Sequence, residues 1–171
     1  MRDGVGGGPI TVNKWATLLT VVPLALALFS SASAAAGPTR AEYVKQVEPI
    51  CKVRTQANKT VLRNVEDMVR EGKLKAAARR FKRAAIALEG AIKQVAQVPR
   101  PVADQARLAR WLGYGKEGDG LLRQTAKLLG EGERHRVQAM AGKLLATAKR
   151  GNATVVGFGF KYCRLNPSRF A

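Results

Sequence analysis

Serine, histidine and cysteine are scarce in this chain, and each shortage removes a class of chemistry. Beyond residue 36 the only serine is Ser168, next to the C-terminus, so a Ser-His-Asp triad has no nucleophile within the domain. The single histidine, His135, stands among Glu133, Arg134 and Arg136, which reads as solvated surface. A haem held in a bundle would need His135 with Met68 or Met140 as second axial ligand, and no C-x-x-C-H attachment motif is present. Di-iron bundles need several inward carboxylates and a Glu-x-x-His motif on two helices, a set this chain lacks. The two cysteines, Cys51 and Cys163, do not form a C-x-x-C and have no further ligands for a metal. Paired acids such as Glu66-Asp67 and Glu131/Glu133 read as helix-end charges. Gly113, Gly115 and Gly118 match G-x-G-x-x-G, yet they lie inside an apolar helical pattern rather than after a strand. The expectation is a protein with no catalytic residues, no metal and no cofactor.

Aromatic residues make up only 6% of the chain, and alanine is abundant, which favours closely approaching helices over a β-sandwich. Acidic residues are also few: 12 against 30 Lys and Arg, a net charge of +18. That imbalance speaks of partners and solubility rather than of fold.

The strongest pattern runs from Leu74 to Val98. Leu74, Ala78, Phe81, Ala85, Leu88, Ile92 and Val95 recur at alternating steps of four and three, the seam of helices packed side by side. Ala77, Ala84, Ala91 and Val98 widen it, while Lys75, Arg79, Lys82 and Lys93 follow the opposite face. Such a helix needs partners of similar length.

The chain opens with an address. Arg2 and Lys14 precede an uncharged apolar run from Trp15 to Phe29, followed by small residues ending in Ala34-Ala35-Ala36. This is the order of a secretory signal peptide, residues 1–36, with cleavage before Gly37. If the signal stays uncleaved, the protein is membrane-anchored instead, although the run is shorter than the roughly 20 residues that span a bilayer. Only Arg2, Lys14 and Asp3 are charged within it, so residues 37–171 keep 28 basic and 11 acidic residues, a charge of +17. An exported cysteine pair is expected to form a disulfide.

In the mature chain Thr39 and Glu42 have capping-box spacing. Helix one then carries Val47, Cys51, Val61, Val65 and Val69 to Glu71-Gly72, with a kink or a split expected at Pro49. Helix two is the seam, stopped by Pro99 and Pro101. Helix three begins near Ala103 and presents Leu108, Trp111, Leu122, Ala126 and Leu129; Gly113, Gly115, Gly118 and Gly120 either break it or allow close backbone contact. Helix four carries Val137, Ala141, Leu144, Leu145 and Ala148. Beyond it Val156, Phe158, Phe160 and Tyr162 alternate with Gly157, Gly159 and Lys161, a period of two. A lone strand has no partner here, so the helix is expected to continue to Asn166-Pro167-Ser168.

The expected fold is therefore all-α: one domain, an up-down-up-down four-helix bundle closed by one disulfide. In that topology Cys51 and Cys163 are neighbours. If the bridge sets the register, Val65 lies level with Lys149 and Val69 with Leu145. Asn58 and Asn152 then either form a polar layer or point to solvent.

Two candidate sites follow. Lys73, Lys75, Arg79, Arg80, Lys82 and Arg83 concentrate six cations in eleven residues, with Arg134, Arg136, Lys143, Lys149 and Arg150 along helix four. They read either as a solvated face or as a site for polyanions: cell-wall phosphopolymer, lipid head groups or non-specific nucleic acid. Aromatics do not interleave with them, which argues against sequence-specific nucleic-acid binding. The alternative is a small apolar ligand near Trp111, Tyr114, Gly115 and Gly118.

Tyr43-Val44, Ile50-Cys51, Trp111-Leu112-Gly113-Tyr114 and Gly157-Phe158-Gly159-Phe160-Lys161-Tyr162-Cys163 resemble motifs of a group of uncharacterised secreted helical proteins of actinobacteria. The resemblance implies export and a paired-cysteine helical domain, envelope-associated or secreted. It brings no activity, substrate or catalytic residue with it.

Overall fold

The computed structural model describes residues 37–164. The signal segment, the Asn166-Pro167-Ser168 stop and the basic tail at Arg169 lie outside the described residues. Within them the chain is all-helical: α1 Arg40–Val61, α2 Val65–Arg70, α3 Leu74–Gln97, a 3-10 turn at Val102–Asp104, α4 Gln105–Gly130 and α5 Arg134–Thr154.

Thr39 starts α1 with the capping box its spacing announces. The Glu42 backbone N–H donates to Thr39 Oγ1 at 3.2 Å, and Glu42 Oε2 accepts from the Thr39 backbone N–H at 2.7 Å. Pro49 lies inside a continuous helix, so the split expected there occurs elsewhere. It falls at Leu62–Asn64, where Asn64 adopts the left-handed conformation with φ 56°. Asparagine visits that region more readily than most residues. Arg80 holds the break from α3, donating to the Val61 carbonyl at 3.3 Å and the Arg63 carbonyl at 2.7 Å. These are carbonyls that the end of a helix leaves unpaired.

In α3 the seam is the core: Ala77, Ala78, Ala84, Ala85, Leu88, Ala91, Ile92 and Val95 are all buried. Helix α4 runs through its glycines without a break. A Cβ on Gly115 would stand 3.4 Å from the Ile92 side chain, and one on Gly118 would stand 3.9 Å from Leu88. Both are ordinary contact distances, so the two glycines lie against α3 without a backbone approach that an alanine would forbid. Their pairing also shows direction, because Gly115 meets Ile92 while the later Gly118 meets the earlier Leu88. Helices α3 and α4 are antiparallel. Thr147 and Glu117, with Gly151 beside Tyr114, show the same for α4 and α5.

The end of α5 departs from expectation. The helix stops at Thr154, and residues 155–164 are irregular, with Phe158 and Phe160 buried in the core, instead of continuing toward Asn166-Pro167-Ser168. Gly157 and Gly159 take φ values of 85° and 75°, a region closed to most side chains. The freed backbone groups find partners on other helices. Arg107 donates to the Thr154 and Val156 carbonyls, each at 2.5 Å. Glu48 accepts the backbone N–H groups of Lys161, Tyr162 and Cys163, each at 3.1 Å. The period of two survives only in part: Phe158 and Phe160 are buried between exposed Gly157, Gly159 and Lys161, but Val156 is exposed and Tyr162 half-buried. Phe160 stacks on Trp111 at 5.4 Å between ring centroids, and Arg40 and Arg107 both lie over the Phe158 ring.

Cys51 and Cys163 are bonded, with Cα atoms 5.0 Å apart. Val65 and Val69 face Val137, Ala141 and Leu144 rather than Lys149 and Leu145. Asn58 forms no solvated tip; its Oδ1 is enclosed with no partner among the described residues. Helix α1 packs on α3, α3 on α4 and α4 on α5, whereas α1 and α5 share no comparable packing. The C-terminal segment fills the upper part of that fourth side, and its lower part stays open.

Candidate functional site

Six cations were expected along the start of α3, and the structure divides them. Lys73 pairs with Glu71 at 2.6 Å, and that carboxylate raises the lysine pKa above its ordinary value. Arg80 is spent on the carbonyls that end α1. Lys75, Arg79, Lys82 and Arg83 remain exposed and form no ion pair among the described residues. They follow one another at helical spacing, with neighbouring Cβ atoms about 5–6 Å apart. The strip ends upward at Ile86, an exposed large apolar residue.

Helix propensity and packing put these charges where they are. The alanines of α3 must face α1 and α4 to be buried, so the residues between them have only solvent to face. At the lower end Lys75 and Arg79 border a shallow depression of about 600 Å³ that continues to Leu129, Gly130 and Glu131. The first turn of α3 carries no acidic residue and no side-chain cap, so the positive end of the helix adds to the field there.

The basic residues of α5 form a separate surface, since α3 and α5 share no substantial packing. Arg134, Arg136, Lys143 and Lys149 are exposed, but Arg150 bonds Glu117 at 2.7 Å and lies over the Tyr114 ring. Higher on α3, Glu89 takes both Lys93 and Arg123 at 2.7 Å, which holds its carboxyl below the usual range, the Lys93 hydrogen bond being the main cause. On α3, then, Lys93 is neutralised by Glu89, whereas Lys75, Arg79, Lys82 and Arg83 have no carboxylate partner among the described residues.

No family model, curated protein or solved structure matches the chain. Its own geometry carries the functional reading.

Around the second candidate site, Trp111, Tyr114 and Gly115 line a cavity of about 40 Å³ together with Cys51, Cys163 and Asn152. That is room for a few waters, against about 300–1,000 Å³ in ordinary ligand sites. Gly118 lies outside it, against Leu88. A volume of ligand size exists elsewhere: about 420 Å³ between α2 and α5, on the open fourth side of the bundle. Sequence periodicity marks Val65, Val69 and Val137 as core and has no means of showing that they face a gap.

His135 is exposed, 3.6 Å from Glu133. Among the described residues no group of three or more His, Cys, Asp or Glu is placed to hold a metal. No helix among them is long and apolar enough to cross a membrane.

Proposed function

We propose that the chain is an exported, non-enzymatic helical bundle that binds anionic polymers or surfaces, such as cell-wall phosphopolymer or lipid head groups, at the cell envelope. Membership of the secreted actinobacterial group belongs to the same reading. The observation that carries it is the strip of Lys75, Arg79, Lys82 and Arg83, exposed and without carboxylate partners on a helix fixed by its buried alanines. A polyanion that neutralises several of these cations at once releases its own counterions, and binding then weakens steeply with salt.

The test is a titration of the folded domain with long-chain polyphosphate at several salt concentrations, beside a variant in which all four residues are Gln. Binding should fall steeply between about 50 and 200 mM salt, and the variant's slope of log K against log salt should be shallower by roughly one per lost contact. Affinity indifferent to salt, or a variant indistinguishable from the parent, would sink the reading.

A further inference from the structure

A ligand-sized cavity lies between α2 and α5, away from both surfaces discussed so far. We propose that this cavity of about 420 Å³ between α2 and α5 binds a small cationic amphiphile, an apolar chain or ring carrying one amine. Leu62, Val65, Val69, Phe81, Val137 and Leu144 supply the walls. The Thr125 hydroxyl is also at the wall, but it donates to the Leu121 carbonyl at 2.8 Å, so the interior offers little beyond apolar contact. The volume falls within the range of about 300–1,000 Å³ that ligand sites occupy.

The cavity sits where the helical run is interrupted: α1 ends at Val61, Asn64 takes the left-handed conformation, and α2 begins at Val65. Apolar side chains of α2 and α5 line its walls, and Val137 packs against the cluster of Val65, Ala77, Ala78 and Leu129.

Charge selects the head group. The chain holds 30 cations against 12 acids, yet no Lys or Arg lines this cavity, and its two charged residues are Glu66 and Asp67. Asp67 is held by Arg70; Glu66 is exposed and forms no ion pair among the described residues. Asn64 adds an amide at the same rim. An amine seated against Glu66 places its apolar part inward over Val65 and Val69. Toward the start of α5 Glu66 also lines an adjoining groove with Arg134, while the charged lining of the cavity itself comes from α2 alone.

The experiment titrates the full chain with n-decylamine, below its micellar concentration at neutral pH, by calorimetry, with decanoate and decanol in parallel. A strongly basic protein repels cations at long range, so saturable binding of decylamine reports a local acidic site rather than bulk charge. One decylamine per chain should bind, more tightly than decanol. Glu66→Gln should weaken decylamine about threefold to fivefold, the span of a partly exposed ion pair, and leave decanol unchanged. Ala141→Phe, whose ring fills the cavity, should abolish both, with far-UV circular dichroism and the intact disulfide confirming the fold. Decanoate saturating the same site as tightly as decylamine, absence of saturable decylamine binding, or no effect of Glu66→Gln would overturn the proposal. None of these variants touches the α3 strip, so failure here is distinguishable from failure of polyanion binding.

Discussion

Replacing both Cys51 and Cys163 by Ala isolates the energetic role of the bridge. The two residues are separated by 112 positions, and in the chain-entropy model a loop of that length restricts the unfolded ensemble by about 4.8 kcal/mol. Alanine is the better replacement, since both sites are buried and a serine hydroxyl there would need a partner. The segment the bridge holds has other ties: Glu48 to three backbone N–H groups, Arg107 to two carbonyls, and Phe158 and Phe160 in the core. It should therefore stay docked in the native state, and the loss should come from the freed unfolded chain. Urea unfolding followed by circular dichroism and by fluorescence tests this directly. Trp111 is the only tryptophan after residue 36 and stacks on Phe160, so it reports on the docked segment. For an m-value near 2 kcal/mol/M, the midpoint should fall by about 2 M, with both probes moving together. A loss below about 1 kcal/mol would refute the loop-closure account. A fluorescence transition that precedes the loss of helix would show instead that the bridge is what keeps the segment docked.

Two further outcomes follow from particular contacts. Asp104 is buried and accepts a bidentate pair from Arg40 at 2.9 and 2.8 Å; these hydrogen bonds hold its carboxyl below the usual carboxylate value. A carboxyl depressed on folding stabilises above its unfolded pKa, about 3.9, and loses that contribution as pH falls through the lower folded value. Asp104→Asn should thus lower the thermal midpoint at neutral pH, with the difference from the parent shrinking below about pH 4; a pH-independent difference would refute the pairing. Gly113→Ala and Gly120→Ala place a methyl where nothing lies within 4 Å, so each should stabilise α4 by about 1 kcal/mol, or roughly 4 °C in Tm. Gly151→Ala sets its methyl 3.3 Å from Tyr114 Cβ and should gain nothing, a contrast that melting curves of the three variants would reveal.

What the sequence disclosed and what it concealed divide by the range of the interaction. The α3 seam, the Thr39 cap and the stop at Pro99 and Pro101 are written in residues within a turn or two of where they act. The cysteine pair is long-range, but two cysteines allow only one bridge. The end of α5 is ambiguous in the sequence because Phe158 and Tyr162 suit a helical seam as well as an irregular one. What decides is Glu48 and Arg107, residues far away in sequence that accept and donate to its backbone. The break at Asn64 had a local signal, the left-handed tolerance of asparagine, while Pro49 drew attention to a position the helix accommodates. Arg80 illustrates the limit for the site: six neighbouring cations look alike until one of them reaches a carbonyl. The cavity had no signal at all, because an apolar residue facing a gap has the same periodicity as one facing a neighbour.

Net charge overstates the binding capacity of this surface, and the structure corrects the estimate residue by residue. Arg40, Arg70, Lys73, Lys93, Arg123 and Arg150 each meet a carboxylate, and Arg80 and Arg107 are held by backbone carbonyls. Exposed pairs of this kind contribute little stability, but they cancel the field that an approaching anion would meet. The cations that keep their field are those without a carboxylate partner, and on α3, among the described residues, these are Lys75, Arg79, Lys82 and Arg83. Their spacing is set by a helix whose other face is locked by alanine packing against α1 and α4. Four charges on a rigid support lose less side-chain and backbone freedom on binding than four charges on a loop, so more of the electrostatic gain survives as affinity. That advantage applies to a polymer or a surface with many anions and not to a single small anion, which can meet only one or two of the four.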